Sequence, residues 1–402
     1  MQSRDRRTDS GAIVHDVIVV GAGPVGATLA LALSTSGLDV VALDARPRGT
    51  AGRSDRSLAL SHGARLIFER LNVWSEVVGV ADAVTPITTI DISQRGSFGA
   101  ATLEASEQGV PALGYVVSYR ALQGALDAAL QRAGTRIEHG VTARRIDATA
   151  ACARIGVDGA ETGSEWLCQL AAVADGSGDI VPGLVRKRHD YGQIALTAKL
   201  WTQHPHRGVA YERFTPEGSM ALLPEGDHYG LVWTTTPEHG TELLALSDSA
   251  FIEALAQRFG ARVGSRCGAV ERVAGRRSFP LALEFAQRVT DSRVVLLGNA
   301  AQALHPVAGQ GFNLGVRDAY ELAQTLLDTA PDQIGASDAL RRYARRRTSD
   351  RWTGIGFTHG LLGIFGNDAA PLRLPRGLAL TMLDSSPALK RVFAHAMMHG
   401  VR

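Results

Sequence analysis

Three glycines near the start of the chain have the spacing of a site that binds a dinucleotide. Gly21, Gly23 and Gly26 form the pattern G-x-G-x-x-G directly after the β-branched run 17–20. In this pattern the first glycine permits a tight turn and the second lets the backbone approach a pyrophosphate. The third lets the following helix pack close to the strand. We therefore predict a strand, a turn and a helix that ends near Gly37.

An acidic residue follows at the place where such a site needs one. Asp44 ends the predicted strand 40–43, where a carboxylate can accept hydrogen bonds from the hydroxyls of an adenosine ribose. A phosphate on that ribose would meet a like charge, which argues against NADP in this pocket. The remaining predicted contacts of this first site are Pro24, Val25, Ala45 and Arg46.

A second glycine-rich segment lies late in the chain. A predicted strand, 293–297, ends at Gly298 and is followed by Asn299. The residues 309–313 then precede a predicted helix, 314–327, and a helix start behind a glycine-rich loop offers free N–H groups and a positive dipole end. Such a start can hold a flavin pyrimidine edge. Two such segments favour one large ligand held from two sides, as FAD requires. The predicted contacts here are Gly298, Asn299, Pro306, Gly309, Gln310, Gly311, Phe312 and Asn313.

The late segment also carries a family resemblance. The string HPVAGQGFNLGVRD, from His305 to Asp318, resembles the signature of the ubiquinone-biosynthesis hydroxylases, which are flavin monooxygenases of the aromatic-hydroxylase class. GNAAQ at 298–302 resembles the branch that hydroxylates 2-polyprenyl-6-methoxyphenol. Further similar stretches lie at 56–74, 112–126 and 212–234, so the resemblance covers nearly the whole chain.

The resemblance implies an activity and its partners. FAD would be reduced by NADH or NADPH, O2 would add to it as a flavin C4a-hydroperoxide, and the distal oxygen atom would be transferred to the ring of a polyprenylated phenol. It also implies contact with a membrane surface and with other ubiquinone-biosynthesis proteins. One alternative is an FAD oxidoreductase without oxygen insertion, of the prenyl reductase or dehydrogenase type. Another is a flavin-binding scaffold of a biosynthetic complex.

Further site residues follow from the resemblance. Arg56 and Arg120 would reach the FAD pyrophosphate or the flavin, although a surface arginine in a loop is the alternative for Arg56. Val141 and Thr142 would contact adenine through their backbone. Pro306 and residues 309–313 would flank the isoalloxazine ring. The catalytic residue is unknown; His305 is a candidate for handling a proton, since histidine titrates near neutral pH, and a structural role is equally open.

The chain departs from the family pattern in its middle motif, D-G-x-x-S-x-x-R, which serves both FAD and the nicotinamide donor. Asp175 and Gly176 match, whereas Asp179 and Pro182 replace the serine and the arginine. Arg186, further along, is a candidate substitute. Asn299 stands where the wider class often has aspartate, and its amide can still bond a ribityl hydroxyl.

Composition limits the remaining classes. The chain has 402 residues, 45% hydrophobic and 20% charged, with a net charge of +2, which gives no reason to expect nucleic acid. Its three cysteines form no C-x-x-C pair, and no metal-binding spacing is evident. The charged first 12 residues, which we expect to be disordered, do not resemble a secretion signal, and no apolar run is long enough to span a membrane. These features favour a cytoplasmic enzyme, peripheral on the inner membrane if it meets a lipid substrate.

The predicted fold class is α/β: a Rossmann-type FAD-binding domain with an inserted antiparallel β-sheet substrate domain and a C-terminal helical tail. We predict a discontinuous FAD-binding domain at 13–75, 110–182 and 283–350. The substrate domain would take 76–109 and 183–282, and the helical segment 351–402. The patterns predict helices at 118–133 and 247–260, strands at 86–93, 136–146, 168–174, 194–201, 219–223 and 229–235, and a hairpin turn at 225–228.

Two segments have open interpretations. The basic run of Arg341, Arg342, Arg345, Arg346 and Arg347 is typical of a solvated helix face, with contact to anionic lipid headgroups as the alternative. A last helix beginning at Ser386-Pro387 has an apolar face that either packs on its own protein or docks on a membrane or a partner. The residues of that face are Leu389, Val392, Phe393, Ala396 and Met397.

Overall fold

A computed structural model describes residues 14–50, 56–96, 98–159, 164–366 and 369–401. The expectation for the first 12 residues lies outside these ranges. The strands are β1 (Val14–Val20), β2 (Val40–Asp44), β3 (Ser57–Ser61), β4 (Val84–Ile87), β5 (Thr89–Gln94), β6 (Ala100–Glu104), β7 (Gly114–Ser118), β8 (Arg136–His139), β9 (Thr142–Ala148), β10 (Ala153–Asp158), β11 (Glu165–Val173), β12 (Arg186–Thr202), β13 (Val209–Thr215), β14 (Gly218–Glu225), β15 (His228–Thr235), β16 (Val270–Ala286), β17 (Thr290–Asp291), β18 (Val294–Leu296) and β19 (Gln302–Ala303). The helices are α1 (Pro24–Leu33), α2 (His62–Arg70), α3 (Trp74–Val78), α4 (Tyr119–Arg132), α5 (Pro237–Ala245), α6 (Asp248–Cys267), α7 (Gln310–Leu327), α8 (Ser337–Phe365), α9 (Ala370–Ser385) and α10 (Pro387–His399).

The first sheet is the predicted Rossmann-type sheet. Its strands follow the order β17-β18-β11-β1-β2-β8, and β1, β2, β8, β11 and β18 run parallel. Val17, Ile18 and Val19 are fully buried, as expected where helices cover both faces of a parallel sheet. Because these strands are parallel, their carboxyl ends lie at one edge and bring Gly21, Asp44 and Gly298 there.

The second sheet is the predicted substrate sheet. Its order is β19-β16-β12-β15-β14-β13-β5-β6, and it is antiparallel except where β5 pairs with β13. The helix α6 covers one face, where Phe251 and Leu255 pack against Leu222 and Trp233. The strands β12 and β16, each of 17 residues, pair along most of their length and reach the Rossmann-type sheet. A small third sheet has the order β3-β7-β4.

Most predicted elements are present, but several boundaries differ. The strand expected at 86–93 is divided between β4 and β5, and that at 136–146 between β8 and β9. The first helix ends at Leu33 rather than near Gly37, because Ser34 closes it. The helix expected at 247–260 does end at Gly260, where φ is 64° and the backbone is not helical, and a second helical stretch continues from there to Cys267. The strand β16 was not expected. The helix α4 and the hairpin between β14 and β15 are confirmed.

The C-terminal segment packs differently from the prediction. The helix α8 runs through the boundary predicted at 350, so that boundary does not coincide with the end of an element; the other domain boundaries stay predictions. In α10 the buried residues are Ala394 and Met398, whereas Leu389 is 47% and Val392 71% exposed. The helix α10 therefore packs on its own protein, but the buried face lies one residue further along the helix than the predicted face.

The basic run is not a uniformly solvated face, so that interpretation is wrong for one of its members. Arg347 is 4% exposed and pairs with Asp318 at 2.8 Å and Asp350 at 2.7 Å. Arg341 pairs with Asp338 on the same helix, and Arg342 donates to Thr329 at 2.8 Å. No helix in the described ranges has the length and apolar character needed to cross a bilayer.

Candidate functional site

The first glycine motif forms a tight turn between β1 and α1. Gly21 has φ of 97°, and a Cβ there would lie 2.6 Å from the carbonyl oxygen of Ala174 at the end of β11. A Cβ on Gly26 would overlap the carbonyl oxygen of Gly21. A Cβ on Gly23 would meet nothing within 4 Å. The first and third glycines therefore allow the packing, while the second faces open space where a pyrophosphate can approach.

Two helix starts face this edge without a capping side chain. The helices α2, α4, α5 and α6 each begin with a Ser or Thr hydroxyl that accepts a backbone N–H. The helices α1 and α7 instead begin at Gly23 and Gly309, with no side-chain cap and no acidic residue in the first turn. Their unpaired N–H groups and positive dipole ends suit the anionic parts of a ligand.

The two glycine-rich motifs are in direct contact. A Cβ on Gly298 would lie 3.3 Å from the side chain of Val25, and a Cβ on Gly315 would lie 2.9 Å from the Cα of Gly298. The helix α7 therefore packs against α1 across the end of β18. Segments almost 300 residues apart thus lie side by side, at the place where the sequence predicted one site with two sides.

Asp44 is buried at the end of β2 and is held by a neighbour. The guanidinium of Arg46 donates through Nε to Oδ1 at 3.0 Å and through Nη2 to Oδ2 at 2.7 Å. This carboxylate raises the pKa of Arg46. A carboxylate has about four acceptor positions, so the pair orients Asp44 and still leaves room for a ribose hydroxyl.

Arg46 also connects Asp44 to a residue that the sequence did not single out. Its Nη1 donates to the hydroxyl of Tyr119 at 3.3 Å. The guanidinium of Arg56 lies over the Tyr119 ring, 4.1 Å from its centroid. Arg56 is exposed and lies next to Tyr119, near the Asp44–Arg46 pair, and its predicted contact with the FAD pyrophosphate or the flavin stays a prediction. Tyr119 is the first residue of α4 and belongs to no recognised sequence motif, so no pattern in the sequence could have identified it.

The other first-site residues lie around the same edge. Ala45 and Arg120 are exposed. Val141 follows β8 and donates its N–H to the carbonyl oxygen of Asp44 at 3.1 Å, so this donor already has a partner. Thr142 begins β9 and pairs with Asp158 in β10. The contacts of these residues with adenine or pyrophosphate stay predictions.

The altered middle motif forms a closed turn. The carboxylate of Asp175 accepts from Ser177 N at 3.1 Å and from Gly178 N at 2.8 Å, and Gly176 has φ of 92°. Arg186 donates to the carbonyl oxygen of Asn299 at 3.1 Å and lies 3.6 Å from Asp179. Arg186 thus links this turn to the late glycine-rich segment, 298–313, called the late motif below; its role as a substitute for the family arginine stays a prediction.

The late motif begins its helix earlier than expected. The helix α7 starts at Gln310, so Gln310, Gly311 and Phe312 form its first turn rather than a loop. Gly309 precedes it with φ of 59°, a left-handed conformation that suits glycine. Each of these backbone N–H groups therefore lies at a helix start, where the flavin edge was predicted to bind.

Asn313 fixes this helix start to the third sheet. Its Oδ1 accepts from Ser61 N at 2.8 Å, and its Nδ2 donates to the carbonyl oxygens of Ala59 at 3.0 Å and Gly309 at 2.8 Å. The side chain is 2% exposed. The side-chain amide of Asn313 therefore positions the start of α7. A contact between this residue and the flavin would be made by its backbone rather than by its side chain.

His305 is buried beneath the loop that contains Pro306. Its Nδ1 accepts from Val307 N at 3.2 Å, which places the proton of the neutral ring on Nε2. Nε2 is buried and has no hydrogen-bond partner within the described ranges, and the ring lies edge-on to Tyr191 at 5.4 Å. Burial lowers the pKa of His305 to about 4, so the ring is neutral at pH 7.

A buried charged network behind the late motif was not foreseen. Asp318 accepts from Gly298 N at 3.3 Å, from Gln302 Nε2 at 2.7 Å and from Arg347 Nε at 2.8 Å. Arg317 and Arg347 both pair with Asp350. The network anchors the turn at Gly298 to α8. The sequence identifies these residues as charged, but it does not indicate that they are buried together.

These residues fit an FAD molecule. The open space at Gly23, the two uncapped helix starts and the buried carboxylate of Asp44 match its pyrophosphate, its flavin edge and its ribose. The described residues include no cluster of His, Cys, Asp and Glu that could hold a metal ion.

A family model described as FAD binding domain matches residues 14–355. The chain belongs to this family. It is 34% identical to Ubiquinone hydroxylase UbiL of Rhodospirillum rubrum over 97% of this chain and 91% of that protein. It is 27% identical to 3-demethoxyubiquinol 3-hydroxylase of Escherichia coli K12 over 94% of this chain and 96% of that one.

Solved structures agree on the fold. The structure of p-nitrophenol 4-monooxygenase PnpA from Pseudomonas putida DLL-E4 matches with a TM-score of 0.76 at 16% identity, covering 97% of this chain and 99% of that chain. The predicted family, fold class and FAD cofactor are therefore confirmed, and the chain is an FAD-dependent monooxygenase.

Proposed function

We propose that this enzyme hydroxylates the ring of a polyprenylated phenol in ubiquinone biosynthesis, with NADH or NADPH as electron donor and O2 as oxidant. The observation that carries the proposal is the similarity to Ubiquinone hydroxylase UbiL along 97% of the chain. The site supports it, because an apolar sheet face lies beside the late motif. Phe214 of the substrate sheet belongs to one apolar cluster with Val307 and Phe365.

Bound FAD supplies the chemistry of taking electrons from a nicotinamide donor and activating dioxygen. The chain's own residues bind and shield it. The start of α1 would hold the pyrophosphate, and Asp44 the ribose. The start of α7 would hold the pyrimidine edge. Phe214 and Phe365, whose rings stack with centroids 4.4 Å apart, would exclude water from the cleft.

Oxidation of NADH or NADPH by the holoenzyme, with a 2-polyprenyl-6-methoxyphenol and ¹⁸O2, tests the activity. We expect phenol-dependent consumption of the donor and one ¹⁸O atom in the ring product. A prenyl reductase or dehydrogenase would consume the donor without incorporating ¹⁸O. A scaffold would not accelerate donor oxidation at all.

We also propose that the enzyme is cytoplasmic and peripheral on the inner membrane, where other ubiquinone-biosynthesis proteins can supply its substrate. Each buried CH₂ contributes roughly 0.8 kcal/mol, so a long prenyl tail holds the substrate in the bilayer. The surface suited to docking is a stripe of exposed apolar side chains on α9 and α10: Leu374 (60% exposed), Leu378 (49%), Met382 (61%), Leu389 (47%) and Val392 (71%). We call it the α9–α10 stripe.

The stripe lies beside the substrate sheet. Asp384 of α9 accepts from Thr102 N of β6 at 3.0 Å, and Gly377 lies against Gly99 just before that strand. Exposed basic residues, Arg373 and Arg391, flank the stripe and suit anionic headgroups. The arginines of α8 are a weaker choice, because Arg347 is buried.

Co-sedimentation with vesicles of mixed neutral and anionic phospholipid tests the docking surface. Replacing Leu374, Leu378 and Met382 by serine should reduce the bound fraction several-fold. The matched control replaces Val78, Val80 and Leu327, which are similarly exposed (53%, 50% and 46%), by serine. Equal loss in both variants would contradict a specific role for the stripe.

A further inference from the structure

On the face of the substrate sheet opposite α6, Glu212 has a buried carboxyl oxygen that no hydrogen bond within the described ranges satisfies. Along β13, Tyr211 packs under α6 and Arg213 donates to the carbonyl oxygen of Arg258 in α6. Because side chains alternate along a strand, Glu212 and Phe214 point to the opposite face. That face adjoins the late motif, since Phe214 belongs to one apolar cluster with Val307.

Glu212 lies among apolar neighbours on this face. The residues opposite it in the adjacent strands are Ile92 in β5 and Ala221 in β14. Its Oε1 is buried and has no hydrogen-bond partner within the described ranges. Burial raises the pKa of Glu212 to about 8, although a hydrogen bond with the Ser219 side chain acts in the opposite direction. A buried polar group left without a partner is unfavourable, so the unpaired Oε1 calls for an explanation.

Glu212 has intermediate exposure, so part of the residue stays accessible. Because Phe214 on the same face of β13 packs against Val307, Glu212 lies on the side of the sheet that adjoins the late motif. An aromatic ring that lies beside a flavin bound at α7 must approach the sheet from this side.

We propose that the Glu212 carboxyl hydrogen-bonds the ring hydroxyl of the aromatic substrate. The inference rests on the proposed function, because a phenol supplies the polar atom that Glu212 lacks. Glu212 is then a residue that selects phenols over rings without a hydroxyl and fixes which ring carbon faces the flavin. A carboxyl group within an apolar wall suits this task, since an unpaired polar group rejects a ligand that cannot bond it.

Ligand binding to the oxidised holoenzyme tests the proposal without turnover. The probes are a short-tailed 2-prenyl-6-methoxyphenol and its O-methyl ether, with Kd measured from the change in flavin absorbance. Wild type should bind the phenol about 10- to 100-fold more tightly than the ether. In Glu212→Ala this ratio should fall to about 1, and Glu212→Gln should restore part of it.

The control is Glu217→Gln, in the turn after β13, where an exposed carboxylate already pairs with Arg258 of α6. It should keep the wild-type ratio. An undiminished ratio in a folded, flavin-containing Glu212→Ala would overturn the proposal, as would a wild-type ratio near 1. The ¹⁸O2 assay on wild type decides the proposed function separately, since hydroxylation can be present while the ratio in the variants is unchanged.

Discussion

Replacing Asn313 by alanine should destabilise the protein and release the flavin. The amide joins the start of α7 to β3 through Ser61 N, Ala59 O and Gly309 O, at distances of 2.8, 3.0 and 2.8 Å. Each such bond contributes about 0.5–1.5 kcal/mol, and a buried backbone group left unpaired adds further cost. We therefore expect a loss of about 2–5 kcal/mol in the free energy of unfolding.

Urea unfolding of the FAD-free protein measures this change without the stabilisation that bound ligand adds. The matched control is Asn299→Ala, since Asn299 is exposed and its carbonyl oxygen, rather than its side chain, accepts the bond from Arg186. That variant should stay within about 0.5 kcal/mol of wild type. If Asn313→Ala unfolds at the wild-type urea concentration with full flavin content, the three bonds do not hold the helix start.

Three further changes test the cofactor site and the buried histidine. Asp44→Ala should weaken FAD binding by about 1.5–3 kcal/mol in titrations of the FAD-free protein, while Asp39→Ala, before the same strand, should not; equal affinities would remove the ribose contact. Gly23→Ala should fold, by circular dichroism, yet lose flavin, because its Cβ meets only open space, whereas Gly26→Ala should fail to fold; flavin retained in Gly23→Ala would place the pyrophosphate elsewhere. Burial lowers the pKa of His305 to about 4 from 6.5, so the unfolded chain takes up this proton first and stability falls by about 3 kcal/mol as pH drops from about 6.5 to about 4. His305→Phe should lose that part of the pH dependence of the unfolding free energy. If wild type and His305→Phe change in stability equally between these two pH values, the ring is not buried in its neutral form.

Local patterns predicted the cofactor half of the fold well. The strand before Gly21, the helix after it and the acidic end of β2 follow from spacing alone, because turn geometry restricts residue type at each position. The late motif was found for the same reason. Its helix was predicted to start four residues too late, since the glycines at 309 and 311 are poor helix formers and the conformation of this turn depends on the contact of Asn313 with β3.

Features that depend on long-range packing were missed. The burial of Arg347 follows from Asp318 and Asp350, which lie on α7 and α8 and meet only after folding. The packed face of α10 was predicted incorrectly because Leu389 and Val392 fit the helical spacing of apolar residues, although both are exposed in the structure. Glu212 is an ordinary strand residue in the sequence, and only the sheet shows that its carboxyl lacks a partner.

The strand order has a consequence for how the enzyme is made. β18 at Val294–Leu296 pairs with β11, which pairs with β1 at Val14–Val20, so the cofactor sheet joins segments that are synthesised far apart in time. At roughly 5–20 residues per second, a ribosome takes on the order of 15 s to a minute to travel from the first glycine turn to β18. The nascent chain cannot enclose a flavin during that interval, because the second side of the site has not been synthesised. Cofactor loading is thus a late event in biosynthesis, and the inserted substrate sheet can fold before it.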